Sequence, residues 1–250
     1  MRPILHRTMN EPMSFFWSLF FVDPLIILST LVFGAISVTQ SLFDKTGNVM
    51  FSTARVWGRS LLAIAGVRVK VEGLEKVDLK FPCVFAANHL SYMDTPVILK
   101  GIPVPFRFMA KKGLFQIPFL GTHLAQAGHI PVPLEDPRAS VKALSHGART
   151  IREHGLSIVV FPEGGRSEDG VLQEFKEGAA YIAIKAGVPL VPVALVGTRQ
   201  ILAMHSSTFH SGAVTLRFGE PISTEGLTLH ARGELTARLR ERIVEMLSAP

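Results

Sequence analysis

The sequence predicts an α/β fold, a largely parallel sheet covered by helices on both faces and preceded by an N-terminal membrane-associated helical pair. Three observations carry that prediction. Short β-rich runs alternate with helical stretches from Val67 onward, the pattern of a parallel sheet joined by crossover helices. Runs such as Ser157-Ile158-Val159-Val160-Phe161 are apolar at consecutive positions, as in strands buried on both faces. Before Val67 the texture differs: Ser14 to Phe43 is almost wholly apolar. We therefore divide the chain into N-terminal anchoring helices, 1–66, and a second domain, 67–250.

The first apolar run is interrupted by Asp23-Pro24, and the twenty residues from Pro24 to Phe43 carry no charge. As a helix they measure about 30 Å, enough to span a bilayer. Pro24 lacks a backbone donor, so a break or a helix start is expected there. The run is too long for a secretory leader and continues into more apolar sequence, so an uncleaved anchor is expected. Basic residues flank it on both sides (Arg2, Arg7; Lys45, Arg55), which leaves orientation open. Asn48 to Gly66 reads as a second helix with Arg55 and Arg59 four apart on one face. It suits either a headgroup surface, with Trp57 in the interfacial belt, or packing against the following domain.

Strands are expected at Val67–Val71, Cys83–Ala87, Phe106–Ala110, Ile130–Leu134, Ser157–Phe161, Leu190–Val196 and Val214–Phe218. Helices are expected at Thr95–Lys100, Leu114–Gly121, Arg138–Glu153, Gly178–Ala186 and Glu234–Leu247. The last, with Arg238, Arg240, Glu241, Arg242 and Glu245, reads as an exposed amphipathic cover.

Composition narrows the partners. The net charge is +6, the isoelectric point about 9.7 and the mean hydropathy +0.32. Basicity suits nucleic acid, or an anionic membrane with phosphate-bearing substrates. No basic run of five, zinc-finger spacing or RNA-binding aromatic motif occurs, so nucleic acid is not expected. Cys83 is the single cysteine; it rules out an internal disulfide and reads as a small buried hydrophobe. His205 and His210 stand five apart without a His-Glu-x-x-His pattern, so no metal is expected. No Gly-x-Ser-x-Gly elbow and no phosphate-binding Gly-x4-Gly-Lys loop occurs either.

Two clusters carry chemistry. Asn88-His89-Leu90-Ser91-Tyr92-Met93-Asp94 follows a strand and precedes a helix. Five residues on a regular helix turn through about 140°, so His89 and Asp94 meet only if the histidine sits on the turn and the aspartate in the first helical turn. The histidine is then a base and the carboxylate its orienting partner. The same segment is also a capping-box pattern, in which Asp94 merely caps the helix. The second cluster is Phe161-Pro162-Glu163-Gly164-Gly165-Arg166-Ser167, again at a strand end. Its glycines permit close backbone approach, and Arg166 offers a planar fork for phosphate. Lys111 and Lys112 add charge along the same edge or are simply solvated.

Taken together, the chain resembles the 1-acylglycerol-3-phosphate acyltransferase family, a branch of the glycerolipid acyltransferases. Four blocks match in order over about residues 67–220: Asn88-His89-x4-Asp94; Arg107–Lys112 through Ile117–Gly121; Phe161–Ser167; and Val191–Ala194. The resemblance implies His89 as general base, Asp94 as its partner, and Lys111 and Arg166 on the substrate phosphate. It also implies Glu163 and Gly164 shaping the acceptor site, and Val191–Ala194 in the acyl pocket. The implied reaction is one-step transfer, without a cofactor, from acyl-CoA or acyl-carrier protein to the sn-2 hydroxyl of lysophosphatidic acid, at the cytoplasmic face of a bacterial inner membrane. One departure stands at Gly165, where the family usually has threonine. Another lyso-lipid acceptor, such as a lyso-ornithine lipid or a different lysophospholipid, is the nearest alternative. A non-catalytic lipid-binding protein is the more distant one.

Overall fold

In a computed structural model that describes residues 11–249, strand ends rather than strand interiors decide where the chemistry lies. Arg2 and Arg7 lie outside the described residues. Seven strands form one sheet in the order β1-β7-β6-β2-β5-β3-β4. They are β1 (Val67–Glu72), β2 (Val84–Ala87), β3 (Phe106–Lys111), β4 (Ile130–Val132), β5 (Ser157–Val160), β6 (Leu190–Val196) and β7 (Gly212–Phe218). All neighbours pair parallel except β6 and β7. The C-terminal ends of β2 to β6 therefore share one edge, where helices of an open α/β sheet begin and ligands bind.

Two cores sandwich the sheet. Phe85 and Ala87 of β2, Phe106 and Phe108 of β3 and Val159 of β5 face one side. They meet Phe51, Ala54 and Leu62 of α3 (Asn48–Ile64) and Val97 and Ile98 of α4 (Asp94–Gly101). Val84, Ala86 and Ile158 face the other side, against α6 (Pro137–His154), α7 (Gly178–Ala186) and α9 (Arg232–Ser248). Burial on both faces explains the continuous apolar runs. The boundaries of α6 follow from its sequence. Asp136 accepts from the N–H groups of Arg138 and Ala139 at 3.0 Å each, Pro137 opens the first turn, and Gly155 ends the helix at φ 63°.

The N-terminal run is one helix from Ser14 to Gln40, long and apolar enough to cross a membrane, with 6% of its apolar window buried. Of the break or helix start expected at Pro24, the start is what occurs, although the run as a whole stays helical. α1 (Glu11–Trp17) passes through a wide π turn over Ser18–Val22 into α2 (Asp23–Gln40), which opens at Asp23 with Pro24 in its first turn. The Asp23 N–H reaches back five residues to the Ser18 carbonyl. That wider turn relieves the clash a proline ring makes with the preceding turn. Polar groups on its inner side hold the helix to the domain. Ser18 Oγ accepts from the Phe209 N–H at 2.8 Å, Ser29 and Ser60 hydroxyls lie 2.8 Å apart, and Ser37 Oγ is 2.6 Å from His123 Nδ1.

Of the two readings of α3, the packed helix is the observed one: Met50, Phe51, Leu61 and Leu62 are buried. Arg55 donates to the Leu99 and Pro103 carbonyls at 3.2 and 3.0 Å, at the C-terminal end of α4. The helix expected over Leu114–Gly121 is a second correction. A 3₁₀ turn, Lys112–Gln116, is followed by extended Ile117, by Phe119 at φ 62°, and only then by α5 (Leu120–Gln126). Pro118 forces this by pushing the preceding residue out of the helical region. A short helix α8 (Thr198–Ile201) follows β6.

Candidate active site

The sequence after β2 turns sharply into α4, and the turn is built around one carboxylate. Asp94 is fully buried. Its Oδ2 accepts from His89 Nδ1 at 2.7 Å and from the backbone N–H groups of Leu90 and Ser91 at 2.7 and 2.8 Å. The atom that closes the turn also holds the imidazole, while α4 itself opens after Met93 with no side-chain cap. Since an ionised carboxylate only accepts, Nδ1 carries the ring proton and Nε2 keeps its lone pair. Asp94 Oδ1 is buried without a partner among the described residues.

His89 is itself buried, and its ring stacks on Phe161 at 3.8 Å between centroids. Burial pushes its pKa below the ordinary histidine value; Asp94 opposes this, and the nearby Arg166 charge reinforces it. At neutral pH the ring is therefore the free base. Its backbone is fixed from two sides: the N–H donates to Glu163 Oε1 at 2.6 Å, and the carbonyl accepts from the Ser167 N–H at 2.9 Å. One residue earlier, Asn88 exchanges two hydrogen bonds with Leu195 of β6, at 2.7 and 3.1 Å.

The second cluster folds over the first. Arg166 Nε donates to the Ser91 carbonyl at 3.3 Å, and its guanidinium lies 4.3 Å from the Tyr92 ring centroid. Burial lowers its pKa, and Asp94 and Tyr92 oppose that; a guanidinium stays charged regardless. Glu163 is buried and spans two strand ends, accepting from His89 N–H with one oxygen and from Gln173 N–H with the other at 2.9 Å. Burial raises its pKa against the effect of those two donors. Gly164 sits at φ 77°, a conformation that favours glycine.

His89, Asp94, Glu163 and Arg166 are thus joined through one set of hydrogen bonds across β2, α4 and the loop after β5. Lys111, at the end of β3, is exposed and lies 3.6 Å from Glu135. Phe161 and Ser91 received no role from sequence. Their signal was weak, an aromatic at a strand terminus and a serine in a turn. Cys83 is buried, its thiol pushed up to about 12 by burial, consistent with an inert hydrophobe. His205 lies against Glu168 at 3.5 Å.

Comparison with known proteins places the chain in a family. The Acyltransferase family model matches residues 68–196. Over 213 residues the chain is 30% identical to the 1-acyl-sn-glycerol-3-phosphate acyltransferase of Saccharomyces cerevisiae, covering 84% of this chain and 70% of that one. The chain belongs to the 1-acylglycerol-3-phosphate acyltransferase family. The enzyme of that name from Borreliella burgdorferi is 31% identical over 187 residues, 74% of each chain. A chloroplastic member from Brassica napus is 35% identical over 171 residues, of which this chain spans 49% of the relative's length. Among solved structures, the 1-acyl-sn-glycerophosphate (LPA) acyltransferase PlsC from Thermotoga maritima superposes with a TM-score of 0.79 at 26% identity. That match covers 97% of this chain and 99% of PlsC. Family, enzyme class and α/β fold thus agree with the sequence reading.

Proposed function

We propose that this acyltransferase moves a fatty acyl group from acyl-CoA or acyl-carrier protein to the sn-2 hydroxyl of 1-acylglycerol-3-phosphate, giving phosphatidic acid. The observation that carries the mechanism is the 2.7 Å bond from His89 Nδ1 to Asp94, which leaves Nε2 as a free base at the strand edge. Nε2 takes the proton of the acceptor hydroxyl as its oxygen attacks the thioester carbon. The C–S bond breaks, and the leaving thiolate recovers the proton from the imidazolium. Asp94 stabilises that imidazolium in transit. No cofactor is needed, because the base and the thioester supply both halves of the reaction.

Arg166, tied to the same turn, grips the acceptor phosphate and holds its hydroxyl against the thioester, converting binding into orientation. Gly164 lets the backbone approach that group, and Glu163 fixes the frame on which both stand. Lys111 lies along the same sheet edge as a further contact for phosphate. The apolar helix seats the site on the lipid surface that holds the acceptor, at the cytoplasmic face of a bacterial inner membrane. The test is a panel of lyso-lipids given to purified protein with labelled palmitoyl-CoA and palmitoyl-carrier protein. Lysophosphatidic acid is expected to give the highest kcat/KM; preference for a lyso-ornithine lipid or an uncharged acceptor would displace the proposal.

A further inference from the structure

Helix α6 presents one face to solvent, and that face is basic. At 100° per residue, Arg138, Lys142, Arg149 and Arg152 fall within about 80° of one another, and all four are exposed. The single carboxylate on the helix, Glu153, lies in its last turn. Among the described residues none of the four cations is in an ion pair, whereas Arg217, Arg232 and Arg242 each hold a glutamate. Lys185 of α7 extends the stripe. Its ammonium donates to Ser145 Oγ and Tyr181 Oη at 2.9 and 3.0 Å, and Arg152 donates to its carbonyl at 3.2 Å. Val141, 49% exposed, borders the charges as an apolar contact. Arg152 and Lys185 help join α6 to α7, but Arg138, Lys142 and Arg149 form an unneutralised row that repels itself.

Its place is informative. α6 starts five residues after β4 ends, at the same sheet edge as His89. The steps β4–β3–β5–β2 at about 4.8 Å each put its first turn on the order of 15 Å from the histidine. α6 also packs on the sheet face opposite to α3 and α4, and the apolar helix packs on α3. The stripe is therefore turned away from the side that meets lipid. A nucleotide donor would engage two or three cations, not a helix of 18 residues about 27 Å long.

We infer that the basic face of α6, with Lys185 and Val141, is the docking surface for a soluble acidic protein that delivers the acyl group as a thioester on a flexible arm: an acyl-carrier protein. The inference rests on the acyltransferase reading above and selects between its two donors. In the transfer, the carrier's C–S bond breaks as the acceptor O–C bond forms. The hydroxyl proton passes through His89 Nε2 to the leaving sulfur, and the carrier departs as a free thiol. Charge complementarity sets the encounter, and the arm covers the remaining distance.

The test compares full-length wild type with R138E/K142E/R149E, using palmitoyl-carrier protein and palmitoyl-CoA as donors to lysophosphatidic acid. The variant is expected to raise KM for the carrier donor about tenfold or more, while kcat/KM with palmitoyl-CoA stays within about twofold. R138Q/K142Q/R149Q, which keeps the helix propensity, is expected to show a smaller rise in the same direction. An equal effect on both donors, or no effect on the carrier donor, overturns the inference. So does wild-type protein that uses palmitoyl-CoA but not the carrier. Weakened flotation of R138E/K142E/R149E on anionic vesicles, with the carrier KM unchanged, would assign the stripe to lipid instead. Failure of both donors with wild type would instead refute the enzymatic reading on which the inference stands.

Discussion

His89 is set up before any substrate arrives: its tautomer by Asp94, its ring plane by Phe161, its backbone by Glu163 and Ser167. The roles proposed for it and for Arg166 separate kinetically. His89→Ala is expected to lower kcat about a thousandfold with little change in acceptor KM. Arg166→Ala is expected to raise acceptor KM strongly while kcat falls less. The pH profile gives an independent check. The proposed base must be deprotonated, and burial holds His89 below the ordinary histidine value, so kcat/KM is expected to be full at pH 7 and to fall only at lower pH. Arg166 contributes to that lowering, so Arg166→Ala is expected to move the acid limb upward. A limb that stays put would remove Arg166 from the histidine's surroundings. The pairing of residues 89 and 94 was legible because a strand-to-helix turn is the one local geometry that closes a five-residue gap. The span of Glu163 from Gln173 to His89 was not, because its partners are backbone groups, which carry no residue-type signal. Lys111 shows the same limit from the other side: a lysine at a strand end looks alike in sequence whether it meets Glu135 or a phosphate.

At the scale of elements, two prolines separate what was legible from what was not. Pro118 ends a helical pattern by pushing Ile117 into extended backbone, whereas Pro24 is absorbed by a π turn. The difference lies in what surrounds each, which periodicity does not encode. The entry to α3 was also unread. Asp44 accepts from the N–H groups of Thr46 and Gly47 with one oxygen and from Met50 N–H with the other. Asp44→Ala is expected to cost about 1 kcal/mol, read as a lower Tm. Nearby, Arg107 is fully buried, donating to the Thr46 carbonyl and Asn48 Oδ1 at 3.0 Å each. His129, also buried, accepts from the Phe108 N–H at 2.9 Å. Burial and then the Arg107 charge push His123 down to about 4; burial, His123 and Arg107 push His129 down as well. The unfolded chain takes up protons on these rings below about pH 6.5 that the folded chain refuses. Stability is thus full above that pH and declines toward pH 4, by on the order of 3 kcal/mol for His123 alone. Burial raises the Asp44 pKa, but hydrogen bonds from Met50 and Thr46 outweigh it and hold the carboxyl below its ordinary value, which adds a loss of the same sign at still lower pH. Thermal melts across pH 4 to 7 check this, and His129→Asn is expected to flatten the slope.

For the whole molecule, the question is what can be removed. The helix through Gln40 has little of its surface buried, whereas α3 contributes Phe51, Ala54 and Leu62 to a core shared with the sheet. Deleting residues up to 43 is therefore expected to leave a folded protein that no longer floats with vesicles. Deleting residues up to 66 is expected to yield insoluble chain, since it opens one face of the sheet. Soluble, cooperatively melting protein from the longer deletion would contradict the packing argument. The sheet itself was readable from two-sided apolar runs, but the reversal of β7 against β6 was not, because local pattern carries no direction.

The serines along the inner side of the apolar helix have a consequence for how the enzyme stands. Ser18, Ser29 and Ser37 fasten that rod to a loop, to α3 and to α5 at three heights. It can neither roll about its long axis nor slide along it without breaking them. Wherever the rod enters the bilayer, the turn that carries His89 follows at a fixed tilt and depth, like a float on a rigid keel. Acceptor molecules are then met at one level of the leaflet, set by the fold and not by the thickness of the lipid around it.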